Sequence, residues 1–555
     1  MSETLQIDPE ALHFVPLGGS GEIGMNLNLY ACRGKWIMLD LGITFAGDAV
    51  PGVDVLMPDT AFIEEHRDDL LGIVLTHAHE DHLGAVAHLW PRLRCPVYAT
   101  PFTAAVLRDK LNDAGLADEL ELIEMPLSGS FTLGPFALEY ITLTHSIPEP
   151  SAVAIRTPFG TLLHTGDWKI DPEPLVGDDI DRPALERLGA GDVLAMVCDS
   201  TNALSPGRSG SEGEVRRELI EMVGAMKAGL AVTLFASNLA RLNTVAIAAL
   251  ENDREPVLVG RSLWRYVRAA RATGYLDESV RFLGEDEGAA LDPGNALYIC
   301  TGCQGEPRAA MARIATDTHP RIRLRPDDTV IFSSKIIPGN EVAIARLHNR
   351  LIARGIKVLT ERDHDIHVSG HPCQDELRDM YRWVRPRIAI PVHGEVRHMR
   401  EHAALAKELQ VPQAIEVMNG DVVRLAPGAA GTIGTVHAGR LALDGSQLLP
   451  LDHETLRARR RLKDNGAVFV TLVVDRRGAL LAEPKVSSHG VAAEEDTDPE
   501  HQEIADAVEA AIDKLDGQQR RDEETMREAA RLSVRRTVLA KRGKRPVIDV
   551  LIVRV

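Results

Sequence analysis

Short apolar runs set off by Gly, Pro and Asp dominate the first part of the chain. Residues 14–40 read as two strands around a glycine-rich loop at 18–24, with 36–40 as another apolar strand. Segments 71–76, 97–99, 136–143, 152–155, 161–164 and 193–198 read the same way, and an apolar helix is predicted from Leu83. Many short strands with few helices between them imply a mixed, strand-rich α/β layer.

The pattern changes after Ser205. Residues 205–213 form a flexible Gly/Ser link. Helical and strand periods then alternate through 214–226, 231–235, 239–250 and 257–260, and again at 330–333 and 357–359, which is the mark of a parallel sheet. Short strands return at 411–425, and the charged segment 457–463 reads as a linker or exposed helix. Near the C-terminus, Ile504, Val508, Ile512 and Leu515 share one helical face, and 547–553 is a closing strand. This set is too small for a core of its own and predicts packing against the catalytic body or a second copy.

Composition narrows the setting. At 555 residues the chain should hold about three or four domains. The N-terminus is acidic without an apolar run, and no apolar stretch is long enough to span a bilayer, so neither a secretory signal nor a membrane is expected. Six cysteines in so long a chain do not make a disulfide framework and fit a reducing cytoplasm. The net charge of −19 argues against nonspecific nucleic-acid binding, although a local basic groove with bound metal ions remains compatible with it.

The strongest chemical signal is His77-x-His79-x-Asp81-His82, directly after the 71–76 strand. Alternating histidines can face one metal and an Asp-His pair after a tight turn can face a second. Nitrogen and carboxylate donors suit zinc, with manganese compatible. Further donors end apolar stretches at His145, Asp167 and His393, and Asp167 is placed to bridge two ions. His164 falls inside a strand and His88 on a helix, so both read as structural. Asp40 ends a strand and reads as either a carboxylate orienting a metal ligand or a loop cap. GSGEIG at 19–24 is followed by strand-like alternation, which argues against a dinucleotide loop. Cys300-x-x-Cys303, a lone pair, reads as ordinary thiols.

These residues resemble the metallo-β-lactamase superfamily. The insertion between Asp167 and His393, and the order Cys198-Asp199-Ser200-Thr201, His367-Val-Ser-Gly-His371, Pro391-Val-His393, resemble its β-CASP branch. GGSGEIGMN, FASN, TGCQGEP and PGNE are similar to bacterial ribonuclease J. The resemblance implies an α/β fold: an αββα metallo-β-lactamase sandwich (1–208 and 373–455), an inserted β-CASP α/β domain (209–372), and a linker with a small α/β C-terminal domain (456–555). It implies two zinc ions per subunit, with manganese or magnesium compatible with activity. His77, His79, His145 and Asp167 would hold one ion, and Asp81, His82, His393 and bridging Asp167 the other. Asp81, His371 and Asp199 would form the catalytic set, with Asp199 positioning its neighbours. A 5′-monophosphate pocket is expected at His367, Val368, Ser369, Gly370 and His371, with Ser237 and Asn238 contributing. Gly370 would let backbone N–H groups approach the phosphate. A metal site involving Asp48 or Asp444 is not expected, and the acidic tract 490–500 should not bind RNA.

The implied function is metal-dependent RNA hydrolysis, 5′-to-3′ from monophosphorylated ends and also internally, leaving 5′-phosphate and 3′-hydroxyl products, in RNA maturation and decay. A homodimer or homotetramer is implied, supported by the C-terminal unit. The competing reading is a small-molecule metallohydrolase, which the metal motif alone would fit but the insertion and the HVSGH segment disfavour. A DNA nuclease is disfavoured by histidine at 393, and a noncatalytic RNA-binding scaffold by the intact ligand set.

Overall fold

The computed structural model describes residues 7–47, 50–337, 339–492 and 494–555, with only the backbone described at 494–497. The chain divides into two compact units, residues 1–45 with 56–440 and residues 46–55 with 441–555.

The first unit is built on two large sheets. One contains strands Leu12–Gly18, Leu27–Cys32, Lys35–Leu39 and Leu70–Val74; the other contains Phe136–Thr142, Ser151–Thr157, Gly160–His164, Val193–Asp199 and Ile388–Val392. Side chains alternate across a strand, so each sheet can send one apolar row inward. Phe14, Tyr30, Ile37 and Val74 from the first sheet share one core with Leu138, Val153, Ile155, Val197 and Ile390 from the second. Leu163, Met196 and Ala389 point the other way and meet Leu377, Met380 and Leu405 on helices Gln374–Val384 and Val396–Glu408. The strands expected over 14–40 are present as Leu12–Gly18, Leu27–Cys32 and Lys35–Leu39, with a two-residue strand Ser20–Gly21 inside the glycine-rich loop, and Arg33 (φ 50°) and Gly34 (φ 72°) close a hairpin between the last two long strands.

The insertion forms a parallel five-stranded sheet, ordered Glu255–Val259, Ala296–Cys300, Leu230–Thr233, Thr329–Phe332, Lys357–Leu359. Its first helix, Glu212–Ala225, starts where Ser211 and Glu214 form a capping box. The C-terminal ends of Leu230–Thr233 and Thr329–Phe332 lead into 234–238 and 333–335, and Ser333 Oγ donates to Ile366 O at 2.7 Å, just before the HVSGH sequence.

The second unit corrects the expectation that the C-terminal region lacks a core. Strand Ala467–Val474 pairs with Lys485–His489 on one side and Val547–Arg554 on the other. Helices Glu494–Asp513 and Glu523–Arg542 accompany this sheet. Val468, Val470, Leu472, Ile504, Val508, Ile512, Met526, Val534, Val538 and Val550 form one buried cluster. The helical face seen in the sequence is only half of it; the central strand and the last helix supply the rest. Segment 457–463 lies within a helix, Glu454–Asn465. The acidic tract 490–500 falls partly outside the described residues.

Candidate metal centre

The donors arrive from the ends of strands, where the backbone leaves a sheet and side chains are no longer committed to the core. His77 and His79 follow Leu70–Val74, Asp167 follows Gly160–His164, Asp199 ends Val193–Asp199, and His393 follows Ile388–Val392. Asp81 and His82 stand in a one-turn helix, Glu80–Leu83, rather than in a turn before a helix beginning at Leu83. Asp40 and His393 both adopt left-handed backbone, at φ 62° and 51°, uncommon for residues with a side chain. His393 is held there by its N–H, which donates to Gly19 O at 2.6 Å.

Three overlapping donor groups result: His77, His79, His145 and Asp167; Asp81, His82, Asp167 and His393; and Asp167, Asp199, His371 and His393. Asp167 is common to all three. His79 Nδ1 lies 3.1 Å from His77 Nε2 and 3.0 Å from His145 Nε2. Tetrahedral zinc with Zn–N of about 2.0–2.1 Å would set such nitrogens roughly 3.3 Å apart. In the second group, Asp167 Oδ2 is 3.1 Å from His82 Nε2, and Asp81 Oδ2 is 3.1 Å from His393 Nε2. Asp167 Oδ1 is buried with no hydrogen-bond partner among the described residues. A buried carboxylate oxygen left without a donor is costly in a finished protein and fits a position reserved for a cation. The donor chemistry, the spacing and this oxygen all suit divalent metal ions.

The groups behind the donors set their orientation. Asp40 accepts from His82 Nδ1 at 2.7 Å and from Thr76 N and Oγ1 at 2.8 and 2.9 Å, so it is a carboxylate that orients a ligand rather than only a cap. Asn26, at the end of the glycine-rich loop, binds Asp81 O through its N–H and its amide. That loop therefore braces the histidine motif. Thr201 Oγ1 lies 2.7 Å from His393 Nδ1 and donates to Asp199 Oδ1 at 2.7 Å. His164 is buried against the Tyr30 hydroxyl at 2.9 Å, and His88 belongs to none of the donor groups. Cys300 and Cys303 are free, buried thiols with pKa pushed up by burial.

With only protein charges acting, the two halves differ. Burial, reinforced by neighbouring histidines, holds His77 and His145 well below the usual imidazole range; burial brings His79 to about 4. All three offer neutral nitrogens at neutral pH. Burial would also lower His82 and His393, but Asp167, Asp81 and Asp40 raise His82 well above its usual value. Asp167, with Asp199 and Asp81, raises His393 to about 10. Burial would raise the Asp81, Asp167 and Asp199 carboxyls, yet the facing histidines hold all three far below the carboxylate range. A cation entering the second group must therefore displace protons, while the three-histidine group is ready for one.

The insertion meets this centre through the HVSGH segment and through Tyr266, whose hydroxyl donates to Ala78 O at 3.2 Å between the two motif histidines. His145 Nδ1 hydrogen-bonds to Gly370 O, and His371 Nδ1 donates to Asp199 Oδ2 at 2.8 Å. Burial would lower the His371 pKa, but Asp199 and then Asp167 raise it above the usual imidazole value. Ser369 Oγ accepts from Asn202 Nδ2 at 2.6 Å and from His371 N at 3.2 Å. Val368 packs on Gly210. The His367 pKa is lowered by burial and by the cations Arg241, Lys335 and Lys169, of which Arg241 and Lys169 are paired with Glu212 and Asp171. Gly370 has no left-handed backbone; a Cβ there would lie 2.6 Å from His145 Nδ1, so close approach to that histidine is what demands glycine. Asn238 caps helix Leu239–Leu250 by accepting from Arg241 N at 2.8 Å; neither it nor Ser237 hydrogen-bonds to 367–371 through its side chain among the described residues.

Sequence reading missed Arg241 and Glu212. Arg241 is fully buried, makes a forked pair with Glu212 at 3.0–3.1 Å, and donates to Ile366 O at 2.9 Å and Ser333 Oγ at 2.6 Å. It ties the insertion's strand ends to the start of the HVSGH segment. Asp444 pairs with Arg459 at 2.6 Å, and Asp48 lies outside the described residues.

Comparison with known proteins matches four stretches of the chain. Residues 44–215 match a family described as a beta-lactamase superfamily domain, 227–351 the ribonuclease J beta-CASP domain, 355–417 a Zn-dependent metallo-hydrolase RNA specificity domain, and 454–555 the ribonuclease J C-terminal domain. Ribonuclease J of Sinorhizobium meliloti is 43% identical over 98% of both chains, and that of Mycolicibacterium smegmatis 37% identical over 97% of both. A crystal structure of a protein of unknown function from Enterococcus faecalis V583 shares the fold, with a TM-score of 0.51 at 16% identity, covering 75% of this chain and 100% of that one. With relatives this similar over nearly its whole length, the chain belongs to the ribonuclease J family.

Proposed function

We propose that this metal-dependent, hydrolytic ribonuclease carries two zinc ions and degrades RNA from 5′-monophosphorylated ends in the 5′-to-3′ direction, with internal cleavage as a second activity. The carrying observation is the junction of insertion and metal centre, where Gly370 meets His145 and His371 meets Asp199. A segment suited to a terminal phosphate is thereby fixed beside the donors, at a set distance from the reacting bond.

His77, His79, His145 and Asp167 would hold one ion, and Asp81, His82, Asp167 and His393 the other, with magnesium or manganese as substitutes. When bound, two such ions acidify water and neutralise charge on the phosphoryl group. Asp199 acts as a positioning residue: it holds His371 at Nδ1 and raises the pKa of that ring. His371 then presents Nε2–H as the proton donor to the departing 3′ oxygen. Thr201 fixes His393 and Asp199 together. His367, Val368, Ser369 and Gly370 would form the phosphate pocket, with Ser237 and Asn238 contributing, and Lys335 is a cation near His367 that favours an anion there.

The reading retains a metallo-β-lactamase domain at 1–208 and 373–455, the insertion at 209–372, and a linker and C-terminal domain at 456–555. A homodimer or tetramer is supported by the outward sheet face of the C-terminal unit, where Phe469, Leu551 and Val553 are exposed. Six free, buried cysteines support a reducing cytoplasm, and no described helix is long and apolar enough to cross a membrane.

The test is zinc- or manganese-loaded protein with 5′-monophosphorylated and 5′-triphosphorylated RNA, products resolved to single nucleotides. Faster stepwise degradation of the monophosphate is expected; equal exonucleolytic rates would remove the pocket from the reading.

A further inference from the structure

The far end of the inserted sheet carries a second basic concavity. A cavity of about 390 Å³ is lined by Arg321, Arg323, Arg325 and Arg354, with Tyr298 and Asp317. Its size falls in the range of small-ligand sites. The sequence builds it by alternation: Ile322 and Leu324 are buried, which turns Arg321, Arg323 and Arg325 to the same side. Arg354 follows helix Glu341–Ala353, and its guanidinium is fixed by the carbonyls of Ile314 and Leu324 and by Asp317 at 3.2 Å. Acidic neighbours balance only part of this charge. Arg321 pairs with Asp286 at 2.6 Å, and Asp317 is shared between Arg354 and, at 4.0 Å, Arg323. Arg325 has no ion pair among the described residues. In a chain of net charge −19, four guanidinium groups around one hollow are a local reversal of the field.

The place is distinct from the metal centre. The cavity is lined from the region preceding strand Ala296–Cys300 and from the loop preceding strand Thr329–Phe332, at the N-terminal end of a parallel sheet. The HVSGH segment is tied to the opposite end through Ser333 and Arg241.

We propose that this cavity is an anion site for phosphate groups, engaged by the backbone of a long RNA already held at the metal centre or by a free nucleoside polyphosphate. Guanidinium forks match phosphate oxygens in pairs, and one group pre-set by backbone carbonyls loses little freedom on binding. The RNA source rests on the ribonuclease reading; the free-phosphate source does not.

The experiment uses the full chain with Arg321→Gln/Arg325→Gln, and Arg321→Lys/Arg325→Lys as the charge-preserving control. Inorganic pyrophosphate and GTP are titrated by calorimetry. Long single-stranded RNA is titrated across a salt series in the presence of chelator, and cleavage of a short 5′-monophosphorylated oligonucleotide is followed with metal. If RNA is the ligand, the Gln variant weakens RNA binding and lowers the slope of log K against log salt by about 1.4, at roughly 0.7 per lost phosphate contact. If a free nucleotide is the ligand, pyrophosphate and GTP binding fall about tenfold or more while RNA binding holds. In either case short-oligonucleotide cleavage is unchanged and the Lys variant retains most binding. Unchanged RNA, pyrophosphate and GTP binding in the Gln variant would overturn the proposal. An inactive wild type on the short oligonucleotide would instead count against the ribonuclease reading.

Discussion

Gly370→Ala adds one methyl group at the seam between the insertion and the metal centre. The new carbon would stand 2.6 Å from His145 Nδ1, nearer still to the ring's Cε1, and 3.3 Å from Ser146 Oγ. Ordinary contact begins near 3.4 Å, so the ring or segment 367–371 must move by about 1 Å. Either movement strikes function, because His145 belongs to the three-histidine group and His371 is the proposed proton donor. A misplacement of about 1 Å can cost on the order of 10²-fold in rate. The expected result is a fall of about that size in turnover of 5′-monophosphorylated RNA, with the circular dichroism spectrum unchanged. If the ring moves, bound divalent metal falls; if the loop moves, metal content holds and the proposed monophosphate preference fades. The steric cause is isolated in a cycle with His145→Ala, read as thermal midpoint and metal content, since that variant already lacks a ligand. Overpacking of about 1–3 kcal/mol should appear in the wild-type background and vanish once the imidazole is gone. Equal destabilisation in both backgrounds would refute the reasoning, as would full activity of Gly370→Ala.

Asp81→Ala or His82→Ala should lower hydrolysis by at least about 10³-fold, the several kcal/mol a catalytic ion supplies, with one ion lost by metal analysis and the fold retained. Arg241→Met leaves Glu212 buried without its partner and should cost about 3–5 kcal/mol, seen as a lower thermal midpoint; Glu212→Gln in the same chain should recover part of it. Burial would raise the Asp171 pKa, but Lys169 at 2.6 Å and two backbone N–H donors lower it. A depressed folded value gives stability that is present above the unfolded carboxyl pKa of about 3.9 and is lost as pH falls through the folded value. The gap in thermal midpoint between wild type and Asp171→Asn should therefore be wide at neutral pH and narrow below about pH 4; a gap independent of pH would count against the pairing.

The residues that converge in the candidate metal centre were legible because their signal is local. Each sits where an apolar run stops, and an apolar run ending in His or Asp is visible without knowing the fold. The layers were legible for the same reason, since the change from scattered strands to regular alternation follows Ser205. What escaped depends on residues far apart in the chain. Gly370 read as a flexible phosphate-binding turn; its backbone is ordinary, and the need for glycine comes from an imidazole 225 residues away. Arg241 carries no signal beyond a charge within the predicted 239–250 helix, and only the arrival of Glu212, Ser333 and Ile366 around it makes burial tolerable. The C-terminal core was missed through its weak contrast. Met526, Ala530, Val534 and Val538 recur at i, i+4, but small side chains among charged ones make a faint stripe. Its partner strand, Ala467–Val474, is apolar but isolated in sequence from the strand it pairs with, Val547–Arg554, which lies beyond two helices. Local chemistry can thus be read from composition along the chain, whereas a residue chosen for what approaches it is readable only once the approach is known.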